Sequence, residues 1–93
     1  MPDEINAVPE ARGAGGWYTC KVVAAGPADD GRFYIRLTDK GQAFLQRWFY
    51  ALPGFEREML AAAFTSLTTG YSAYVMLADT AEWSQINRFY VQP

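Results

Sequence analysis

The sequence predicts a small, mainly β-sheet barrel with a single helix, and three observations support this fold class. Segments rich in aromatic and β-branched residues recur between turn residues, and one of them alternates strictly between apolar and polar side chains. A single stretch changes to apolar spacing of three and four residues, as a helix requires. The length of 93 residues fits one domain.

The first two predicted strands form a hairpin. Residues 17–25 are aromatic and β-branched, and the turn at 26–31 contains glycine, proline and aspartate. Residues 32–38 then alternate with a period of two, which is typical of a half-buried strand. Its inward face carries Phe33, Ile35 and Leu37.

A third strand is predicted over 44–52, and Pro53-Gly54 ends it. The helix follows over 55–69, with Gly70 placed for a left-handed residue after its last turn. Its apolar stripe, which we expect to cover the barrel, consists of Phe55, Met59, Leu60, Ala63, Phe64 and Leu67. Two further strands are predicted, over 71–78 and 86–91.

The predicted order is therefore three strands, one helix and two strands. Closing five strands into a barrel removes exposed sheet edges, and one helix between the third and fourth strands is the connectivity of the OB-fold, a five-stranded Greek-key barrel. We predict an OB-fold domain over residues 17–93. Residues 1–16, which are rich in glycine and proline and lack periodicity, are predicted to be a disordered tail or linker.

The charge distribution separates this tail from the domain. The net charge of −2 resides in Asp3, Glu4, Glu10 and Arg12, so residues 17–93 are neutral. Non-specific binding to nucleic acid uses a surplus of Lys and Arg, and the predicted domain lacks one. We therefore do not expect nucleic acid to be the main partner.

Composition also argues against catalysis. The chain has no histidine and a single cysteine, Cys20, so a zinc site, an internal disulfide and the most versatile acid–base residue are all missing. We expect no enzyme activity, no metal and no cofactor. No apolar run reaches the roughly 20 residues of a membrane helix. The N-terminus lacks the features of a signal peptide, which favours a cytoplasmic location, with secretion as the alternative if this is a mature terminus.

Three stretches carry a resemblance to a known family. They are Gly16-Trp17-Tyr18, the segment Tyr34-Ile35-Arg36-Leu37-Thr38 followed by Arg47-Trp48-Phe49, and Glu58-Met59-Leu60-Ala61 leading to Ile86-x-x-Phe89-Tyr90-Val91. Together they resemble small bacterial OB-fold proteins with the layout of AB-type toxin binding (B) subunits. The resemblance implies a ring, pentameric in that family, whose helices face a central pore and whose surface binds sugars.

The outward face of the second and third strands provides candidate binding residues. Aromatic rings can stack on a sugar or a base, and arginine can reach a phosphate or carboxylate. Two interpretations stay open, ligand binding and packing under a neighbouring element or subunit. Trp83 also has two interpretations. It is a candidate glycan contact, or it closes the end of the barrel as a buried hydrophobic plug, which is the interpretation we favour. The candidates are Tyr34, Arg36, Arg47, Trp48 and Trp83.

The helix provides a candidate contact between subunits, because its sides away from the stripe are small and uncharged after Glu58. The predicted contact residues are Ala62, Thr65, Ser66 and Thr69. The leading hypothesis is a non-catalytic, homo-oligomeric, ring-shaped binding or scaffold subunit that binds carbohydrate. The alternative is a monomeric module for single-stranded nucleic acid.

Overall fold

The computed structural model describes residues 15–93. It contains β1 (Gly16–Pro27), β2 (Phe33–Asp39), β3 (Arg47–Ala51), α1 (Glu56–Thr69), β4 (Ser72–Leu77) and β5 (Ser84–Gln92). The predicted mainly β fold with one helix after the third strand is therefore confirmed. The predicted tail over residues 1–16 lies outside the described residues, apart from Gly15 and Gly16, and Gly16 already pairs with Leu77 in the sheet.

The five strands close into a barrel in the order β1-β2-β3-β5-β4. β3 and β5 run parallel, and all other neighbouring strands are antiparallel. The long β1 pairs with β2 on one side and β4 on the other, with a bulge between Val22 and Ala24 that lets it bend around the barrel. This strand order, with the helix between β3 and β4, makes the chain an OB-like barrel.

The core follows from the alternation in the sequence. Ile35 and Leu37 of β2, Phe49 of β3, Val75 of β4 and Ile86 of β5 have no solvent-exposed surface. Each such side chain stabilises the fold by about 1.5–3 kcal/mol relative to an exposed position. The barrel therefore forms a rigid support for the loops at its ends.

The helix buries a different face from the predicted one. Met59, Ala63 and Ser66 are buried at positions i, i+4 and i+7. Phe64 and Leu67 follow Ala63 and Ser66 by one residue, about 100° around the helix axis, and are 45% and 39% exposed. The prediction that these two residues cover the barrel is wrong, and so is the same prediction for Phe55, which is 54% exposed.

The burial of Ser66 explains why the hydropathy pattern predicted the wrong face of the helix to pack on the barrel. Its buried hydroxyl donates a hydrogen bond to the Tyr71 carbonyl at 2.6 Å, so a polar side chain occupies the core face without an unsatisfied group. The end of the helix is as predicted, since Gly70 is left-handed with φ 76° and its N–H donates to the Ser66 carbonyl.

Candidate ligand-binding cleft

A cleft of about 440 Å³ opens at the end of the barrel where β1 turns into β2. One side is formed by residues 24–30, which include the end of β1 and the turn after it. The other side is formed by three aromatic side chains from β2, β3 and the loop before β5, namely Tyr34, Trp48 and Trp83. We call this hollow the aromatic cleft.

The turn at one side of the aromatic cleft is fixed by Asp30. Its carboxylate accepts a hydrogen bond from the Tyr34 hydroxyl at 2.6 Å and another from the Arg32 backbone N–H at 2.9 Å. The bond from Tyr34, followed by that from Arg32, lowers the pKa of Asp30, while the same carboxylate raises the pKa of Tyr34. Asp30 is therefore negatively charged and Tyr34 neutral at physiological pH.

Trp83 stands at the mouth of the aromatic cleft, where its ring meets Tyr34 edge to face at 90° with centroids 5.5 Å apart. The expectation that Trp83 plugs the barrel end is wrong, because the side chain is 57% exposed. Its backbone has φ 73°, a left-handed conformation that is costly for a bulky residue. Strained backbone of this kind is typical of functional sites.

The loop that carries Trp83 is fastened to β3 by three hydrogen bonds. The Trp83 N–H donates to the Trp48 carbonyl at 2.7 Å, and the Trp48 N–H donates to the Glu82 carboxylate at 3.2 Å. The half-buried Arg47 side chain donates to the Thr80 carbonyl at 2.8 Å. These bonds fix the backbone that carries the exposed indole, which lowers the entropic cost of ordering the loop on binding.

The predicted binding residues therefore divide into three groups. Tyr34, Trp48 and Trp83 come together in the aromatic cleft. Arg36 lies beside it, with its guanidinium 5.7 Å from the Trp48 ring centroid and its Nε–H donating to the Gln46 carbonyl. Arg47 does not reach the cleft, because it is bonded to Thr80.

Sequence reasoning missed the small residues of 24–28 that form part of one side of the cleft. Their small apolar side chains do not indicate a binding site. The two adjacent aspartates in the turn that follows are the sequence feature that could have indicated one.

The predicted helix contact is only partly available. Ser66 is 3% exposed and bonded within the fold, so its assignment to a subunit interface is wrong. Ala62 is half-buried, whereas Thr65 and Thr69 are exposed. Their hydroxyls donate to the Ala61 and Thr65 carbonyls within the helix.

A second aromatic surface lies on the other side of the barrel, across β1, β4 and β5. Trp17 stacks on Tyr74 and on Tyr90, with centroids 4.6 and 6.0 Å apart and interplanar angles of 16°. We call these three residues the aromatic wall. A hollow of about 380 Å³ lies near it, between the start of α1 and β5, and is lined mainly by apolar side chains such as Phe55 and Phe89.

Within residues 15–93, no group of three or more His, Cys, Asp or Glu side chains could hold a metal ion. In the same part of the chain, no helix is long and apolar enough to cross a bilayer. Comparison with protein-family models, with curated proteins and with solved structures finds no match to this chain. The geometry of the barrel and its surface is therefore the basis for a functional proposal.

Proposed function

We propose that this chain is a non-catalytic binding module that takes a saccharide in the aromatic cleft. One observation carries the proposal: Tyr34, Trp48 and Trp83, from three different elements, meet in one hollow beside the carboxylates of Asp29 and Asp30. The volume lies within the range of about 300–1,000 Å³ that small-molecule sites occupy.

The chemistry of this lining suits a sugar. Aromatic rings offer apolar faces to the C–H side of a sugar ring, and carboxylates accept hydrogen bonds from its hydroxyls. The cleft also lies where OB-folds bind oligosaccharides, at the β2–β3 face between the loop joining β1 to β2 and the loop joining β4 to β5. A phosphate-bearing ligand is less suited, because Asp29 and Asp30 would repel it.

The experiment is a glycan array followed by calorimetric titration of any hit. Wild type, Trp83→Ala and Tyr90→Ala are compared, since Tyr90 is an aromatic residue of similar exposure outside the cleft. The proposal expects a defined glycan whose binding is lost in Trp83→Ala and kept in Tyr90→Ala. A glycan that binds equally to all three proteins would contradict the proposal.

Single-stranded nucleic acid is the second candidate, and two cation–π pairs favour it. The Arg32 guanidinium lies 4.4 Å from the Tyr50 ring centroid, and Arg36 lies over Trp48, so the β2–β3 face pairs positive charge with stacking surfaces. This function requires steeply salt-dependent binding to oligonucleotides that quenches tryptophan fluorescence. Absence of that signal at low salt would remove this candidate.

A homo-oligomeric, ring-shaped assembly is the proposed setting for the saccharide site, as the AB-type toxin B-subunit resemblance implies. The support is the outer face of α1, where Phe64 and Leu67 are exposed and no charged residue follows Glu58. Light scattering on wild type and Phe64→Glu tests it, with Gln92→Glu as the control for added charge at an exposed position away from the helix. A monomer at micromolar concentration would contradict it.

A further inference from the structure

We infer that the saccharide taken by the aromatic cleft carries a protonated amine, so that the ligand class is an amino sugar rather than a neutral glycan. This inference rests on the proposed saccharide function and specifies its substrate. Three features of the cleft lead to it: the sign of the charges in its lining, the arrangement of its rings, and the positions of the neighbouring arginines.

The lining of the aromatic cleft carries negative charge and no positive charge. Asp29 and Asp30 are its only ionised side chains among the described residues, because its other members are alanine, glycine, proline, tyrosine and tryptophan. Hydrogen bonds from Tyr34 and Arg32 keep Asp30 ionised. Glu82 adds a third carboxylate close by, bonded to the Trp48 N–H. A cationic ligand group gains from this field, and an anionic one loses.

The aromatic cleft offers an exposed ring to a cation. Tyr34 and Trp83 contact each other edge to face with centroids 5.5 Å apart, and Trp83 remains 57% exposed beside the hollow. Ring faces attract cations within about 6 Å of their centroid. An exposed indole beside two carboxylates therefore favours a cationic group over a neutral one.

The two arginines nearest the cleft do not line it. Arg32 lies over Tyr50, the cross-strand partner of Tyr34, and its positive charge also acts on Asp30. Arg36 lies over Trp48 with its Nε–H bonded to the Gln46 carbonyl. Arg32 therefore offsets part of the charge of Asp30, and no arginine side chain enters the lining.

The test compares a β-1,4-linked trimer of glucosamine, which carries three amines, with its N-acetylated counterpart, in which all three are neutral amides. Both are titrated by calorimetry at about pH 5, because the amines of glucosamine are less basic than a lysine side chain and are protonated there. The proteins are wild type, Asp29→Asn, and Glu58→Gln as a matched control that removes an exposed carboxylate from the helix. Trp83→Ala is included to show that binding occurs in the cleft.

We expect wild type and Glu58→Gln to bind the amine trimer at least fivefold more tightly than the acetylated trimer, since an exposed charge pair contributes up to about 1 kcal/mol and the ring faces add to it. Asp29→Asn reduces that preference at least twofold, because it removes the charge while keeping a side chain of the same shape that still bonds sugar hydroxyls. Trp83→Ala weakens binding of both.

Three results would overturn the inference, and they differ in whether the proposed saccharide site survives. If the two trimers bound with equal affinity and Trp83→Ala abolished that binding, the preference for an amine would be overturned and the saccharide site retained. If neither trimer bound but another neutral glycan bound in a Trp83-dependent way, the amine would again be overturned and the saccharide site retained. No Trp83-dependent binding of any saccharide would overturn the amine and the proposed function together.

Discussion

The barrel has two aromatic surfaces of similar composition and different geometry. In the aromatic wall, Trp17 stacks nearly parallel on Tyr74 and Tyr90, at 16° to each ring. In the aromatic cleft, Trp83 stands at 90° to Tyr34. Exposure does not separate the two, because Trp83 is 57% exposed and Tyr90 is 51% exposed.

The difference lies in what occupies the faces of the rings. Parallel rings cover part of one another's faces, so stacking in the wall contributes to stability. In the cleft the two perpendicular rings meet only edge to face, and they lie beside a hollow that is also lined by carboxylates. An aromatic cluster is thus a binding candidate only where loop geometry keeps the ring faces uncovered.

The largest expected effect is on ligand affinity. Trp83→Ala should weaken binding of a cleft ligand at least 30-fold, because truncating an aromatic anchor costs about 2 kcal/mol or more. Tyr90→Ala should change the same dissociation constant less than twofold. Isothermal titration measures both, and equal losses in the two variants would remove the distinction between cleft and wall.

The second effect is on stability, and it concerns the aromatic wall instead of the cleft. Trp17→Ala should lower the free energy of unfolding by about 2 kcal/mol, because it removes two stacked pairs worth about 0.5–1.5 kcal/mol each. Leu45→Ala, at a side chain 65% exposed, is the control and should change stability little. Urea denaturation measures both. Trp17→Ala with wild-type stability would show that the wall is not a structural element.

The third effect separates the indole of Trp83 from its backbone. At φ 73°, glycine is unstrained and alanine is not, so Trp83→Gly should be about 1 kcal/mol more stable than Trp83→Ala. In ordinary strand or helix positions the order is reversed. Both variants should lose binding equally. If Trp83→Ala were the more stable of the two, the loop would not be strained as described.

The last effect appears only at alkaline pH and concerns β1, the strand that both aromatic surfaces share. Burial, and then the charge of Asp39, raises the pKa of the Cys20 thiol from 9.0 to about 12. Between these values the unfolded chain has lost the thiol proton and the folded chain has kept it. The unfolded state then binds fewer protons, so the free energy of unfolding falls as pH rises through this window.

Denaturation midpoints measured at several pH values in this window test that slope. Cys20→Ala is the control, and its stability should fall less steeply than that of wild type. Equal slopes for the two proteins would show that the thiol is accessible to solvent, and β1 would then be more loosely packed than its burial indicates.

The strands could be predicted because each has one face in the core. Ile35 and Leu37 alternate with polar neighbours, and the closed barrel buries both of them completely. The helix was predicted in position but not in orientation. Ser66 reaches the core by bonding the Tyr71 carbonyl, a contact between the helix and the residue before β4 that hydropathy does not encode.

The residue types of the candidate site could be predicted from the sequence, but the way in which the structure brings them together could not. Tyr34 and Trp48 were expected on the outward face of the second and third strands. The position of Trp83 depends on its left-handed backbone and on bonds to β3. Arg47 has the composition of a ligand contact, and only the structure shows that it fastens the loop through Thr80. Such roles arise from long-range contacts, which local patterns do not contain.

The three tryptophans allow one direct test of the central claim, that ligand binds in the cleft and not at the wall. Trp48 and Trp83 belong to the aromatic cleft and Trp17 to the aromatic wall. Each indole N–H gives its own signal in a proton–nitrogen correlation spectrum, assigned with single Trp→Phe variants. Titration with a binding saccharide should shift the Trp48 and Trp83 signals and leave Trp17 unchanged. A shift of Trp17 with the other two unmoved would contradict the account.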